Sequence, residues 1–278
     1  MLSLKTAVGK KILLAITLLF TWQGYYSSQS AAQSRVALNL SDHSLRNELI
    51  SAQRAPTEEP SYALILPGIL GERFWDNNVQ AGIRNSNFRG QTEIYDWTKG
   101  PLMMAANIGG SVQQSEILVQ RILEFKRQFP ARPLYLIGHS GGCRMVVQIL
   151  EQLPEGTRVE RAILLSPCME STYNLSNALA NTDSGLVVFH SPLDLAISVP
   201  LTMAHGFVQG RLDQTGATAG FKMPKHLNAN QMALYQSRLI QHRFDRSMVW
   251  FGNTGGHFGW TVPRFVANYV APYLVQSN

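Results

Sequence analysis

Near the middle of the chain, Gly138-His139-Ser140-Gly141-Gly142 forms a G-x-S-x-G pattern. That is the spacing a sharp strand-to-helix turn requires around a nucleophilic serine. On such a turn the backbone is strained, and the strain lifts the hydroxyl clear of the sheet edge. The residues two before and two after the serine are crowded and must be small, a need that Gly138 and Gly142 meet. The Gly141 N–H then points, with the start of the next helix, toward the place where negative charge would develop on a substrate oxygen. The setting agrees. Leu134-Tyr-Leu-Ile137 predicts a buried strand before the turn, and Met145, Val146, Ile149, Leu150 and Leu153 share one helix face after it, up to Pro154.

A serine hydroxyl needs a base to take its proton, and the base needs an orienting acid. On this kind of turn the partners follow in the order serine, acid, histidine, each just past a later strand. The base is expected at His257, in Asn253-Thr-Gly-Gly-His257, six residues past a last strand over Met248–Phe251. His139 should point away from the serine, and His190, at a strand end too early in the order, should pack beside the acid loop. His43 precedes the sheet, while His205, His226 and His242 have no strand end to fix them. The acid is expected at Asp194, in His190-Ser-Pro-Leu-Asp194, after a strand over Leu186–Phe189. Asp183 would sit at the opposite edge, and Asp213 and Asp245 lack a strand that would place them. The second oxyanion donor should come from Pro67-Gly-Ile-Leu-Gly71, with the Ile69 N–H chosen and Leu70 the alternative. This chemistry needs no metal and no organic cofactor.

These residues have to be carried by a regular framework. Short apolar runs predict strands at 62–67, 92–97, 134–137, 162–165, 186–189 and 248–251. Ser111-Val-Gln-Gln114 reads as a capping box that opens a helix with Leu118, Ile122, Phe125 and Phe129 on one stripe, stopping at Pro130. A further helix is expected from a cap at Thr261 to about Val270. Apolar strands alternating with amphipathic helices predict an α/β fold, a mostly parallel central sheet with helices on both faces. One domain over 61–278 is expected, after an N-terminal extension at 33–60 with a short strand near 36–40 and a short helix near 45–53.

The 278 residues are 45% hydrophobic, 9% aromatic and only 15% charged, which supplies a core and excludes disorder as the main theme. The net charge of +6 falls to +3 once Lys5, Lys10 and Lys11 are set aside. Arg238, Arg243 and Arg246, with Asp245 among them, read as one solvated helix face. No basic stripe remains, so a nucleic-acid partner is not expected. The three lysines precede the apolar run Ile12–Phe20, too short for the roughly 20 residues a membrane-spanning helix needs. With small residues at Ser30-Ala31-Ala32 the segment 1–32 reads as a signal peptide, and the protein as exported, secreted or periplasmic. The alternative is an uncleaved anchor with Trp22, Tyr25 and Tyr26 at an interface, the one route to membrane contact. Cys143 and Cys168 read as small buried hydrophobes, although export would permit a disulfide.

Taken together, these residues resemble the α/β-hydrolase superfamily from about Ser61 to the C-terminus. Within it, Leu66-Pro-Gly-Ile-Leu-Gly71, Tyr95-Asp-Trp97 and the turn at Ser140 are similar to the lipase and lecithin–cholesterol acyltransferase branch. The resemblance implies a nucleophile at Ser140, an acid at Asp194 and a base at His257, in a serine hydrolase acting on small-molecule or lipid carboxylic esters. An acyltransferase using the same acyl-enzyme is one alternative, and a non-catalytic binding protein on the same fold is another. Many lipases carry a long cap between the strands that here end near Ser166 and start near Leu186. Only about twenty residues separate them in this chain. Cover is instead expected from Leu201–Asp245, with Gly206, Gly210, Gly216 and Gly220 giving it freedom to move.

Overall fold

Strand β1 (Ser61–Leu66) turns Leu64 and Leu66 to one face and Ala63 and Ile65 to the other, and all four are buried. The same alternation recurs in β3 (Leu134–His139), β4 (Arg161–Leu165) and β5 (Leu186–His190). A strand that is apolar on both faces demands cover on both. The computed structural model describes residues 60–98, 110–194 and 215–275. In it, β2 (Gly90–Ile94) and β6 (Leu239–Arg243) complete a sheet of order 2-1-3-4-5-6, with every neighbouring pair parallel.

One face is covered by α2 (Gly110–Gln128), through Leu118, Val119 and Ile122, and by α3 (Gly142–Gln152), through Met145, Val146, Ile149 and Leu150. The short helix α4 (Ser176–Ala180) and, after the four-residue helix α5 (Gly216–Ala219), Tyr235 of α6 (Ala229–Arg238) extend that layer. The other face takes α1 (Phe74–Arg84), through Val79 and Ile83, together with Trp260, Phe265, Val266 and Val270 from the C-terminal segment. Each fully buried Leu or Ile contributes about 1.5–3 kcal/mol relative to exposure, so these two layers supply most of the driving force for the fold.

The strand order sets where a site can form. After β1 the chain covers one face with α1; after β3 it covers the opposite face with α3. Where the winding reverses, the loops beyond the carboxyl ends of the strands part and leave a crevice. Here the crevice lies between the loop that follows Leu66 and the turn that follows His139.

Several expectations need correcting. The last strand is Leu239–Arg243, and residues Arg246–Phe251 form a 3₁₀ helix. The apolar run Met248–Phe251 misleads because only Met248 is buried, while Trp250 is 80% exposed. Asp245 caps this turn by accepting the Ser247 N–H at 2.8 Å, and Gly252 closes it with φ of 88°. The true β6 is an edge strand, so its mixed sequence Leu-Ile-Gln-His-Arg is tolerated. Arg238, Arg243 and Arg246 therefore end α6, end β6 and begin the 3₁₀ helix; they share no helix face. The part of 201–245 that is described builds α6 and β6, so it belongs to the sheet layer and is no lid. After Thr261, a short α-turn at Pro263–Phe265, a π-turn and a 3₁₀ turn replace one regular helix, and Val262, not Thr261, is its cap. Helix α2 already includes Gly110, ahead of the cap expected at Ser111. Cys143 and Cys168 are not joined by a disulfide. The leader at 1–32 and the elements expected at 36–40 and 45–53 lie outside the described residues.

Candidate active site

Ser140 follows β3 directly and has φ of 56°, a left-handed conformation rare for a residue with a side chain. Its N–H still donates to the Leu165 carbonyl at 2.9 Å, so the backbone leaves the ladder at that residue and the side chain swings off the sheet edge. The glycines make this turn possible. A Cβ on Gly138 would lie 2.7 Å from the backbone of Cys143, and one on Gly142 would lie 2.1 Å from the Leu66 carbonyl oxygen. Gly142 is thus small because α3 starts against the end of β1, a reason the sequence pattern alone does not supply. Helix α3 begins at once with Gly142 and buries Cys143, Met145 and Val146. The Ser140 Oγ lies 3.3 Å from the Cys168 thiol, the hydrogen-bond contact it makes among the described residues.

Asp194 sits four residues past β5, fully buried, where Asp194 N–H donates to the Ser191 carbonyl in a tight turn. His257 lies in the loop beyond the 3₁₀ helix, also buried. Asn253 shapes that loop by accepting the Gly255 N–H at 2.8 Å, and Gly255 takes φ of 81°. The His257 Nδ1 lies 2.9 Å and 3.1 Å from the two Asp194 carboxylate oxygens. A carboxylate only accepts, so Nδ1 carries the proton and Nε2 is left as a bare acceptor. Ser140 and His257 line the same narrow cleft, with Ile69, Leu70, Trp75 and Phe258 on its walls.

The loop at Ile69, which lines the cleft, packs against the turn at Gly141. A Cβ built on Gly141 would come within 3.3 Å of the Ile69 N, so the two chain segments are in close contact. Neither the Ile69 nor the Gly141 N–H has a hydrogen-bond partner among the described residues. The Leu70 N–H is likewise unpartnered, but the close approach to Gly141 is made at Ile69. The loop that carries Ile69 is clamped from the segment after β2: the Trp97 Nε1–H donates to the Pro67 carbonyl at 2.8 Å, and the Glu72 N–H donates to Asp96 at 3.2 Å.

The other histidines and acids considered lie elsewhere or outside the described residues. Asp183 stands at the start of β5, 3.7 Å from Arg158. His190 packs against the turn ending at Gly220, and the His242 Nε2 is 2.6 Å from the Tyr273 hydroxyl. His226 is exposed. His43, His205 and Asp213 lie outside the described residues. Three neighbours were not foreseen. Ser166, fully buried with φ of 53°, donates its hydroxyl to Asp194 and lies 3.1 Å from the His257 Nδ1. Cys168 touches the Ser140 hydroxyl. Asp76, on α1, stands behind His139. A serine after an apolar strand carries no sequence signal, and Asp76 belongs to a helix that the strand-centred reading passed over.

No family model matches the sequence, and no curated protein matches it. Among solved structures, Est1E from Butyrivibrio proteoclasticus is similar at 11% identity and TM-score 0.44, over 80% of this chain and 92% of that one. The naproxen esterase of Bacillus subtilis is similar at 12% identity and TM-score 0.43, over 78% of this chain and 85% of that one. A cutinase-like protein from Cryptococcus sp. is similar at 12% identity and TM-score 0.43, over 80% of this chain and 98% of that one. The α/β-hydrolase fold of the chain stands on its own features: the all-parallel 2-1-3-4-5-6 sheet and a left-handed serine turn between β3 and α3.

Proposed function

We propose that the protein is a serine hydrolase that cleaves carboxylic esters through an acyl-enzyme on Ser140. The observation that carries this reading is the buried Asp194–His257 pair, at 2.9 Å, whose histidine lines the cleft that also holds the elbow serine. In the proposed reaction Ser140 turns from Cys168, gives its proton to the His257 Nε2, and bonds to the ester carbonyl carbon. The Asp194 carboxylate holds the Nδ1–H and steadies the imidazolium. The Gly141 and Ile69 amides hold the oxyanion, where loss of one donor typically lowers the rate about 10²–10³-fold. His257 returns its proton to the departing alcohol, and water repeats the sequence to release the acid and restore the serine.

Leu70 and Phe74 are exposed, and Trp75 and Phe258 line the mouth of the cleft. These walls favour an apolar acyl or alkyl group over a charged one, which supports a lipase- or esterase-like substrate. The leader at 1–32 supports export. The experiment is intact-mass labelling with a fluorophosphonate: one adduct is expected on the wild type and none on Ser140→Ala. A folded wild type left unlabelled would favour the binding-protein alternative.

A further inference from the structure

Behind the proposed base lies a second acid–histidine pair. His139, the last residue of β3, is buried, and its ring stands 5.1 Å from that of His257. Its Nε2 is 3.3 Å from the carbonyl oxygen of His257. Its Nδ1 is 3.9 Å from Oδ1 of Asp76, which is fully buried in the first turn of α1. The other Asp76 oxygen accepts the Arg73 N–H at 3.0 Å. Neither the His139 Nδ1 nor the Asp76 Oδ1 has a hydrogen-bond partner.

The chemistry of these atoms is restrictive. A carbonyl only accepts, so the His139 Nε2 must carry a hydrogen. In the neutral ring Nδ1 is then a bare lone pair, 3.9 Å from a carboxyl oxygen. Two acceptors facing each other in a dry interior repel unless a proton lies between them. Whether that proton sits on the acid or on the ring, the pair carries no net charge.

We propose that Asp76 and His139 together keep one proton, held on Asp76 as a neutral acid beside a neutral ring, and that this uncharged pair leaves the His139 Nε2–H against the His257 carbonyl, making both positioning residues for the base. The inference rests on His257 acting as base in the ester hydrolysis proposed above. Burial pushes Asp76 up to about 7, with Glu72 and Asp96 adding to the rise. Burial pushes His139 down to about 3, and His257 adds to the fall. Both directions favour a neutral acid beside a neutral ring. The titratable groups facing Asp76 are Glu72 on its own approach, Asp96 beyond β2 and His139 on β3, while Arg73 contributes its backbone N–H. Arg264, on the segment that packs against α1, is turned over the Phe251 ring.

The sharing has a thermodynamic signature. In the unfolded chain between about pH 4 and pH 6.5, Asp is ionised and His protonated, so the pair binds one proton. The folded pair also binds one, now on Asp76, so its contribution to stability is flat across that window. In Asp76→Asn the folded state binds none while the unfolded state still binds one. Stability of that variant should therefore fall as the pH is lowered from about 6.5 to 4. The asparagine keeps the shape and neutrality of the protonated acid beside the His139 ring, so the contact to His257 survives.

The test has two arms. With a p-nitrophenyl ester, Asp76→Asn should keep kcat within about twofold, and Asp76→Ala should lose about tenfold in kcat with little change in KM. In chemical unfolding from pH 4 to 7, Asp76→Asn should become acid-sensitive relative to the wild type. Wild-type kcat in Asp76→Ala, or parallel stability curves for Asp76→Asn and the wild type, would overturn the proposal. A wild type that cleaves no ester sinks the ester reading, and with it the positioning role, while the unfolding arm still judges the shared proton.

Discussion

Ser140 and Ser166 end neighbouring strands in the same left-handed conformation, with φ of 56° and 53°. Each N–H stays in the ladder, Ser140 on the Leu165 carbonyl at 2.9 Å and Ser166 on the Phe189 carbonyl at 3.0 Å. The flip at the last paired residue carries each side chain off the pleat and over the sheet edge. For Ser140 the hydroxyl reaches the cleft; for Ser166 it reaches Asp194 and the His257 Nδ1. Left-handed backbone at a residue with a Cβ costs about 1–2 kcal/mol. Two such residues on adjacent strands are held by their surroundings, as strained positions at functional sites tend to be.

Ser166 can be tested apart from its strain. Ser166→Ala removes the hydroxyl and keeps the unfavourable φ, whereas Ser166→Gly removes both. Each should lower kcat about tenfold through a less well oriented Asp194–His257 pair. The glycine variant should be the more stable of the two, because glycine accepts this φ freely. Steady-state kinetics with urea midpoints check both statements, and unchanged kcat in Ser166→Ala would show the hydroxyl to be unnecessary.

The proposed triad predicts losses that do not track stability. Ser140→Ala and His257→Ala should each lower turnover by at least about 10³-fold, and Asp194→Asn by a similar order, with unfolding midpoints little changed for Ser140→Ala. Near-normal activity in His257→Ala would mean that another base serves Ser140.

The parts legible in sequence are those where one signal dominates. β1, β3, β4 and β5 are buried on both faces, so each is an unbroken apolar run, and the glycines around Ser140 are forced by backbone contacts. Asp194 stands out in the sequence because it follows such a strand within four residues. β6 does not, since an edge strand has no need of continuous apolar residues, and the exposed Val249 and Trp250 imitate a strand that is not there. Chain order alone points to His257, since no strand lies where one was expected before it, and the structure places that ring 2.9 Å from Asp194. Ser166 and Asp76 left no trace: their importance comes from neighbours distant in sequence, and only the fold brings those together.

The close approach at the elbow gives a stability prediction. A Cβ on Gly142 would lie 2.1 Å from the Leu66 carbonyl and 2.5 Å from that of Pro67, so Gly142→Ala must push α3 away from β1. A loss of about 2–3 kcal/mol or failure to fold is expected. Gly256, beside the proposed base, has no atom within 4 Å of a built Cβ, so Gly256→Ala should change stability by less than about 0.5 kcal/mol. Equal urea midpoints for the two variants would contradict the backbone contact at Gly142.

The thiols offer a last test, at the nucleophile itself. The Cys143 Sγ donates to the Gly138 carbonyl at 3.2 Å and the Leu165 carbonyl at 3.4 Å, while Cys168 stands against Ser140. Burial pushes the Cys143 thiol well above its ordinary range, which keeps the reactive thiolate scarce in the native state. Without reductant, iodoacetamide should add two adducts in urea, one for each unbridged thiol, and should react slowly with the folded protein. Adducts that appear only after reduction would mean that the two thiols are bridged. Cys168→Ala then asks what the thiol does for Ser140. If the contact at 3.3 Å holds the hydroxyl back from His257, its removal should speed fluorophosphonate labelling severalfold, because less of the serine rests in an unproductive rotamer. Slower labelling would mean instead that Cys168 orients the hydroxyl for attack.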